Sequence, residues 1–150
     1  MSNHTLRPLS PWMTESVKDP EAQEFLTLVL NAIEVWDDII DRDGRIVDND
    51  IHNVFTQLLV RLPANAFYQK YYTALAGMLI VMITSWHTSN ADQSTQESAA
   101  HAYTLRKEFI NLVVLCVALT GSIADARMAS LAGWTDSATN DSFNEFSRGE

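Results

Sequence analysis

The chain is short of the residues that most enzyme and nucleic-acid signatures are built from. It has one cysteine, so no internal disulfide can form, and the fold must be held by burial in a manner suited to a reducing compartment. Lysine and arginine number 10 against 19 aspartates and glutamates, for a net charge of -9. That balance excludes the clustered cations that contact with nucleic-acid phosphates requires. No glycine-rich phosphate loop, no Cys/His zinc spacing and no serine in a nucleophile-elbow context occurs among its 150 residues. Met1 to Trp12 is polar and interrupted by Pro8 and Pro11, unlike a secretory signal.

Long apolar runs are nearly absent too. Tyr71 to Ala91 carries no formal charge but ends in the polar string Thr84-Ser85-Trp86-His87-Thr88-Ser89-Asn90. Phe109 to Ala124, also uncharged, is shorter than the roughly 20 apolar residues of a spanning helix. Both are expected to be buried core helices. Membrane insertion as a two-helix hairpin is the minor alternative.

What is present is helical periodicity. Residues 1–19, with Pro8 and Pro11, are expected to be a flexible arm pinned by Trp12. Asp19-Pro20-Glu21 has the form of a helix start, with an N-cap aspartate and a proline in the first turn. That helix should run to about Asp41 and end at Asp43-Gly44. A second, with the stripe Ile51, Val54, Phe55, Leu58 and Leu62, should stop at Pro63. A third spans about Asn65 to Trp86, and a fourth about Ser94 to Leu119, the second half of which is apolar on every side. Gly121 breaks the chain before a short fifth helix from Ile123 to about Leu131. No strand-like alternation is present. The expectation is an all-α, single-domain bundle of four to five helices over 20–134, followed by a polar tail, 135–150.

The densest chemistry lies in Glu34-Val35-Trp36-Asp37-Asp38-Ile39-Ile40-Asp41. At about 100° per residue, Glu34, Asp37, Asp38 and Asp41 share one helical arc of about 100°. Such an arc can offer oxygen ligands to Mg²⁺ or Mn²⁺. The apolar stripe Phe25, Val29, Ile33, Trp36 and Ile40 is centred about 140° away on the same wheel, so the carboxylates can equally form a solvated face or a docking face for a basic partner. On the fourth helix Glu97, His101 and Glu108 share a second arc. Glu97 and His101 have the i, i+4 spacing of a metal-chelating pair, which, packed against the first helix, would complete a carboxylate–histidine bundle site. Arg106 lies on another side and is a candidate partner for Asp37 and Asp38. The fourth helix is expected to pack onto the Trp36 stripe rather than the acidic arc. Cys116, within Leu112 to Val117, should be a buried, inert thiol. Trp36, Phe67, Tyr68, Tyr71, Tyr72 and Trp86 are expected in the core.

Asp37-Asp38-Ile39-Ile40-Asp41 resembles the first D-D-x-x-D motif of the all-α isoprenoid diphosphate synthases, in which the aspartates hold Mg²⁺ ions that bridge an allylic diphosphate. The second such motif is absent, and only Arg45 stands for the paired arginines that follow the first. The all-α nucleotide pyrophosphohydrolases also carry acidic helical motifs, which this chain matches incompletely. Three longer segments resemble a family of small uncharacterised proteins of tailed bacteriophages: Val35 to Asp43, Leu62-Pro63-Ala64-Asn65-Ala66-Phe67-Tyr68, and Ala102-Tyr103-Thr104-Leu105-Arg106 with the later Leu119-Thr120-Gly121. That resemblance implies a viral protein, placed in the virion or the host cytoplasm. The expected function is non-catalytic, through contact with a protein partner or a second copy of the chain, without direct nucleic-acid binding and with no cofactor. The alternative is a Mg²⁺-dependent enzyme of diphosphate chemistry, with Glu34, Asp37, Asp38 and Asp41 holding the cation and Arg106 or Lys107 the anion.

Overall fold

The computed structural model describes residues 7–41, 45–91 and 97–136, and their side chains except those of 90, 91 and 97–102. Every regular element in these residues is helical, and none of their helices is long and apolar enough to cross a membrane. The elements are α1 (Pro11–Ser16), α2 (Pro20–Ile40), α3 (Asp48–Thr56), a π-helical turn (Gln57–Arg61), α4 (Leu62–Ala64), α5 (Ala66–Lys70), α6 (Tyr72–Ala91), α7 (Glu97–Thr120) and α8 (Ile123–Thr135). The division is finer than four to five helices because two of the expected helices are interrupted and the arm contributes one of its own.

Local chemistry sets the boundaries. Asp19 caps α2 by accepting the Glu21 N–H at 2.9 Å, with Pro20 in the first turn. Val47 stands in the N-cap position of α3, and the Asp50 carboxylate accepts its N–H at 2.9 Å. The helical run ends at Ala64, one residue past the expected stop at Pro63. A proline ring clashes with the carbonyl four residues earlier and cannot donate to it, and the widened turn at Gln57–Arg61 accommodates that conflict, with the Leu62 N–H reaching back to the Gln57 carbonyl. The chain breaks at Asn65 instead, whose side chain accepts the Tyr68 N–H at 2.8 Å and opens α5. The Asn65 amide also donates to the Glu21 carbonyl at 2.9 Å, tying the start of α5 to the start of α2. Ser122 and Asp125 cap α8 reciprocally, at 3.1 and 3.2 Å.

The π turn shifts the register of the predicted stripe. Leu62 is buried and Ile51 and Val54 are half-buried, but Phe55 stands 61% exposed. Gln57 takes an inward position and accepts from the Asn31 amide at 2.6 Å, a buried side-chain pair between α2 and the π turn. The burial of α2 therefore extends beyond the Phe25–Trp36 stripe to Leu28, Asn31 and Val35.

At the centre lies α7, with Phe109, Ile110, Leu112, Val113, Cys116 and Val117 buried. It packs against α6 on one side, α8 on another and α2 on a third. Phe25, Leu26 and Leu28 of α2 and Leu75 of α6 complete the interior. Each fully buried leucine or phenylalanine contributes about 1.5–3 kcal/mol. Phe25 stacks on Tyr68 with ring centroids 5.5 Å apart and meets Phe67 at 5.9 Å.

The segment before residue 19 adds to this core. Met13 and Val17 are buried, and α1 lies against α8. The close approach depends on Gly133. A β-carbon there would stand 2.8 Å from Ile110 Cγ2 and 3.0 Å from the Trp12 ring. Ile110 is β-branched and stiff, so neither neighbour yields easily. Gly133 is thus an interior residue of α8, which continues to Thr135 past the expected end. The polar tail from 137 onward lies outside the described residues. Gly133→Ala is expected to lower unfolding free energy by about 1–3 kcal/mol through overpacking, measured by urea denaturation. A change within about 0.5 kcal/mol, the range of an ordinary surface substitution, would refute the close-packing role.

Candidate functional site

The acidic arc comes first because it carries the strongest motif. Glu34 is half-buried, and its carboxylate accepts from Arg7 Nη1 at 3.0 Å. Arg7 is largely exposed, so this ion pair contributes up to about 1 kcal/mol. Its source, the segment expected to be a flexible arm, has no sequence signal linking it to Glu34. Asp37 and Asp38 are half-buried and each has an interaction partner, while Asp41 is exposed and donates its own N–H to the Asp37 carbonyl at 2.9 Å. Among the described residues no three histidine, cysteine, aspartate or glutamate side chains converge to hold a metal ion.

The second arc divides. The backbone at Glu97 and His101 is helical, and their side chains lie outside those described. Arg106 and Lys107 are exposed, and Arg106 has no ion pair among the described residues. Glu108 is half-buried and faces a different neighbourhood. Together with Thr104 and Leu105 it forms the α7 side of a cavity whose opposite side carries Val29, Ile33 and Trp36 of α2. The described part of α7 therefore meets the Trp36 stripe.

That cavity is a well-formed concave feature of the described structure. It has a volume of about 390 Å³ and lies among α2, α3 with its π turn, α6 and α7. Val29, Val35, Leu62, Met82 and Trp86 are its buried lining, and Ile39, Leu58 and Ile83, all exposed at 38–51%, form its rim. Thr104 and Glu108 are the polar residues of a wall that is otherwise hydrocarbon and indole. Trp36 and Trp86 touch, with ring centroids 4.0 Å apart and planes inclined at 38°. Trp86 is 3% exposed, and its Nε1–H has no acceptor among the described residues. Nearly all buried donors in folded proteins find a partner, which makes this one a point of chemical interest.

Part of this wall was visible in the sequence. The stripe Ile51, Val54, Leu58 and Leu62 points to it, and so does the periodicity of Leu79, Met82 and Trp86. The void itself was not visible, because it depends on how far four helices stand apart and not on which face each turns inward.

Cys116 lies fully buried in α7. Burial pushes its thiol up from the ordinary value of 9.0 to about 12. No protein-family model, curated protein or solved structure matches this chain.

A neutral buried thiol has a consequence for alkaline stability. The unfolded thiol ionises near 9.0 and the folded one near 12, so the folded state binds the extra proton between those values. The contribution is complete below pH 9 and is lost as pH rises through that window. Cys116 is expected to stay unlabelled by a thiol reagent in the native protein at pH 8 and to label fully in urea. Cys116→Ser should cost about 1–3 kcal/mol by burying a poorly satisfied hydroxyl, and it should flatten the alkaline decline of the urea midpoint. Rapid labelling of the native protein would overturn the inert assignment.

Proposed function

We propose that this chain is a non-catalytic helical protein that acts through protein–protein contacts, and that α6 carries the contact surface. The supporting observation is the outward side of α6. Leu75, Met82 and Trp86 are buried on its inner side, whereas Ile80 and Val81 are exposed at 65% and 52%. The helix carries no formal charge from Tyr72 to Ala91, so on a chain of net charge -9 it is where two copies meet without mutual repulsion. Gly77 lies exposed on the same side with open space where its β-carbon would stand. A mid-helix glycine costs about 1 kcal/mol relative to alanine, and here it leaves a shallow recess for an approaching helix. Exposed apolar side chains set among uncharged polar ones suit an interaction site. The virion or assembly role, or contact with a host protein, rests on the resemblance of the three segments to proteins of tailed bacteriophages.

The reading predicts a defined oligomer, a dimer in its simplest form, in size-exclusion chromatography with light scattering at tens of micromolar. The double variant Ile80→Glu/Val81→Glu should elute as a monomer. Because both side chains are exposed in the single chain, its far-ultraviolet circular dichroism should match that of the parent. A wild-type protein that is strictly monomeric, or a double variant that keeps the oligomer, would sink the α6 assignment. The non-catalytic part has its own check. Millimolar Mg²⁺ or Mn²⁺ is expected to leave the melting temperature unmoved. A rise that disappears in Asp38→Ala would transfer the proposal to the alternative of diphosphate chemistry at Glu34, Asp37, Asp38 and Asp41.

A further inference from the structure

We propose that the cavity beside Trp36 and Trp86 is a binding site for a small uncharged hydrocarbon, a ring system or chain without a polar group. The inference is independent of the contact surface on α6, because Ile80 and Val81 take no part in the cavity wall.

The wall sets the class. Almost all of the surface that bounds the void is carbon. The Trp86 Nε1–H is inaccessible and so presents no donor to an occupant. Among the described residues the lining includes no lysine, arginine or histidine, and its rim of Ile39, Leu58 and Ile83 is apolar as well. A carboxylate or phosphate head would therefore find no cation, either inside the void or at its mouth. A sugar, nucleotide or peptide would bury donors and acceptors without partners, which is costly. A hydrocarbon has none to leave unpaired.

Size agrees with that class. An apolar cavity of about 150 Å³ stays dry and takes up benzene. This one, at about 390 Å³, is more than twice as large and falls within the roughly 300–1,000 Å³ of small-molecule sites. Water inside it would have almost no hydrogen-bond partner. Left empty, the void denies its lining the dispersion contacts of a filled core, and a hydrocarbon of two fused rings restores them. Access lies past the exposed rim residues Ile39, Leu58 and Ile83, so a ligand can enter without unfolding a helix.

The test is isothermal titration calorimetry of the intact chain with naphthalene. Saturable binding at one naphthalene per chain is expected, with the negative heat-capacity change of apolar burial. Quinoxaline has the same two-ring shape but carries two nitrogen acceptors. A carbon wall leaves them unpaired, so quinoxaline should bind about tenfold more weakly or worse. Ala32→Leu inside the cavity and Ile83→Trp at its rim should each weaken naphthalene severalfold by filling space. Ile83 is exposed, so that variant keeps its fold even if Ala32→Leu perturbs the core. Ile80→Glu/Val81→Glu should bind naphthalene as the parent does. Four results overturn the proposal: no saturable binding, quinoxaline binding as tightly as naphthalene, undiminished binding in Ile83→Trp, or binding seen only in Ile80→Glu/Val81→Glu. The last would give the cavity to a side chain from a second copy of the chain.

Discussion

A helix that is apolar on all its faces has to be clothed by other helices, and α7 is such a helix. From Phe109 to Val117 its residues are buried or half-buried on every side, so the rest of the chain is arranged to cover it: α2 on one side, α6 on another and α8 on a third. Conformational entropy opposes this arrangement throughout, and hydrophobic burial is the main term that offsets it. Specific devices then fix where each cover lies. Gly133 lets α8 come close, Asn65 holds the start of α5 to α2, and the Asn31–Gln57 pair holds the π turn to α2.

The same requirement explains where the fold was legible in the sequence. The starts of α2 and α8 follow from short-range chemistry, Asp19-Pro20 in one case and Ser122 with Asp125 in the other, and such signals survive in any tertiary setting. The all-round apolar half of α7 announced a surrounded helix. Prediction fails where a long-range neighbour decides. Gly133 has the form of a C-terminal signal, but it is a contact with Ile110 and Trp12. Met13 and Val17 sit among prolines with no periodicity of their own and are buried only because α8 has a place for α1.

The candidate site shows the same division in sharper form. The acidic string was the most conspicuous chemistry in the sequence, and its carboxylates do share a helix arc, but one of them, Glu34, is held by the guanidinium of Arg7, 27 positions away. The cavity, by contrast, is made of ordinary core-type residues that no motif distinguishes. Its one unusual atom, the unpartnered nitrogen of Trp86, sits in a helix whose sequence suggests only burial. Motif chemistry is local and legible. A void belongs to the spacing between elements, and no single element carries it. Trp36, Leu62, and Thr104 with Leu105 come from three segments far apart in the chain and meet in this wall.

The contact between Trp36 and Trp86 has one more consequence. Two indoles with centroids 4.0 Å apart are close enough for their excited states to mix, and a pair inclined at 38° is chiral. The folded chain should therefore carry an exciton couplet in its far-ultraviolet circular dichroism, superimposed on the helical signal. Because one ring belongs to α2 and the other to α6, the couplet reports the distance between those two helices. It is a built-in optical gauge of the groove's width.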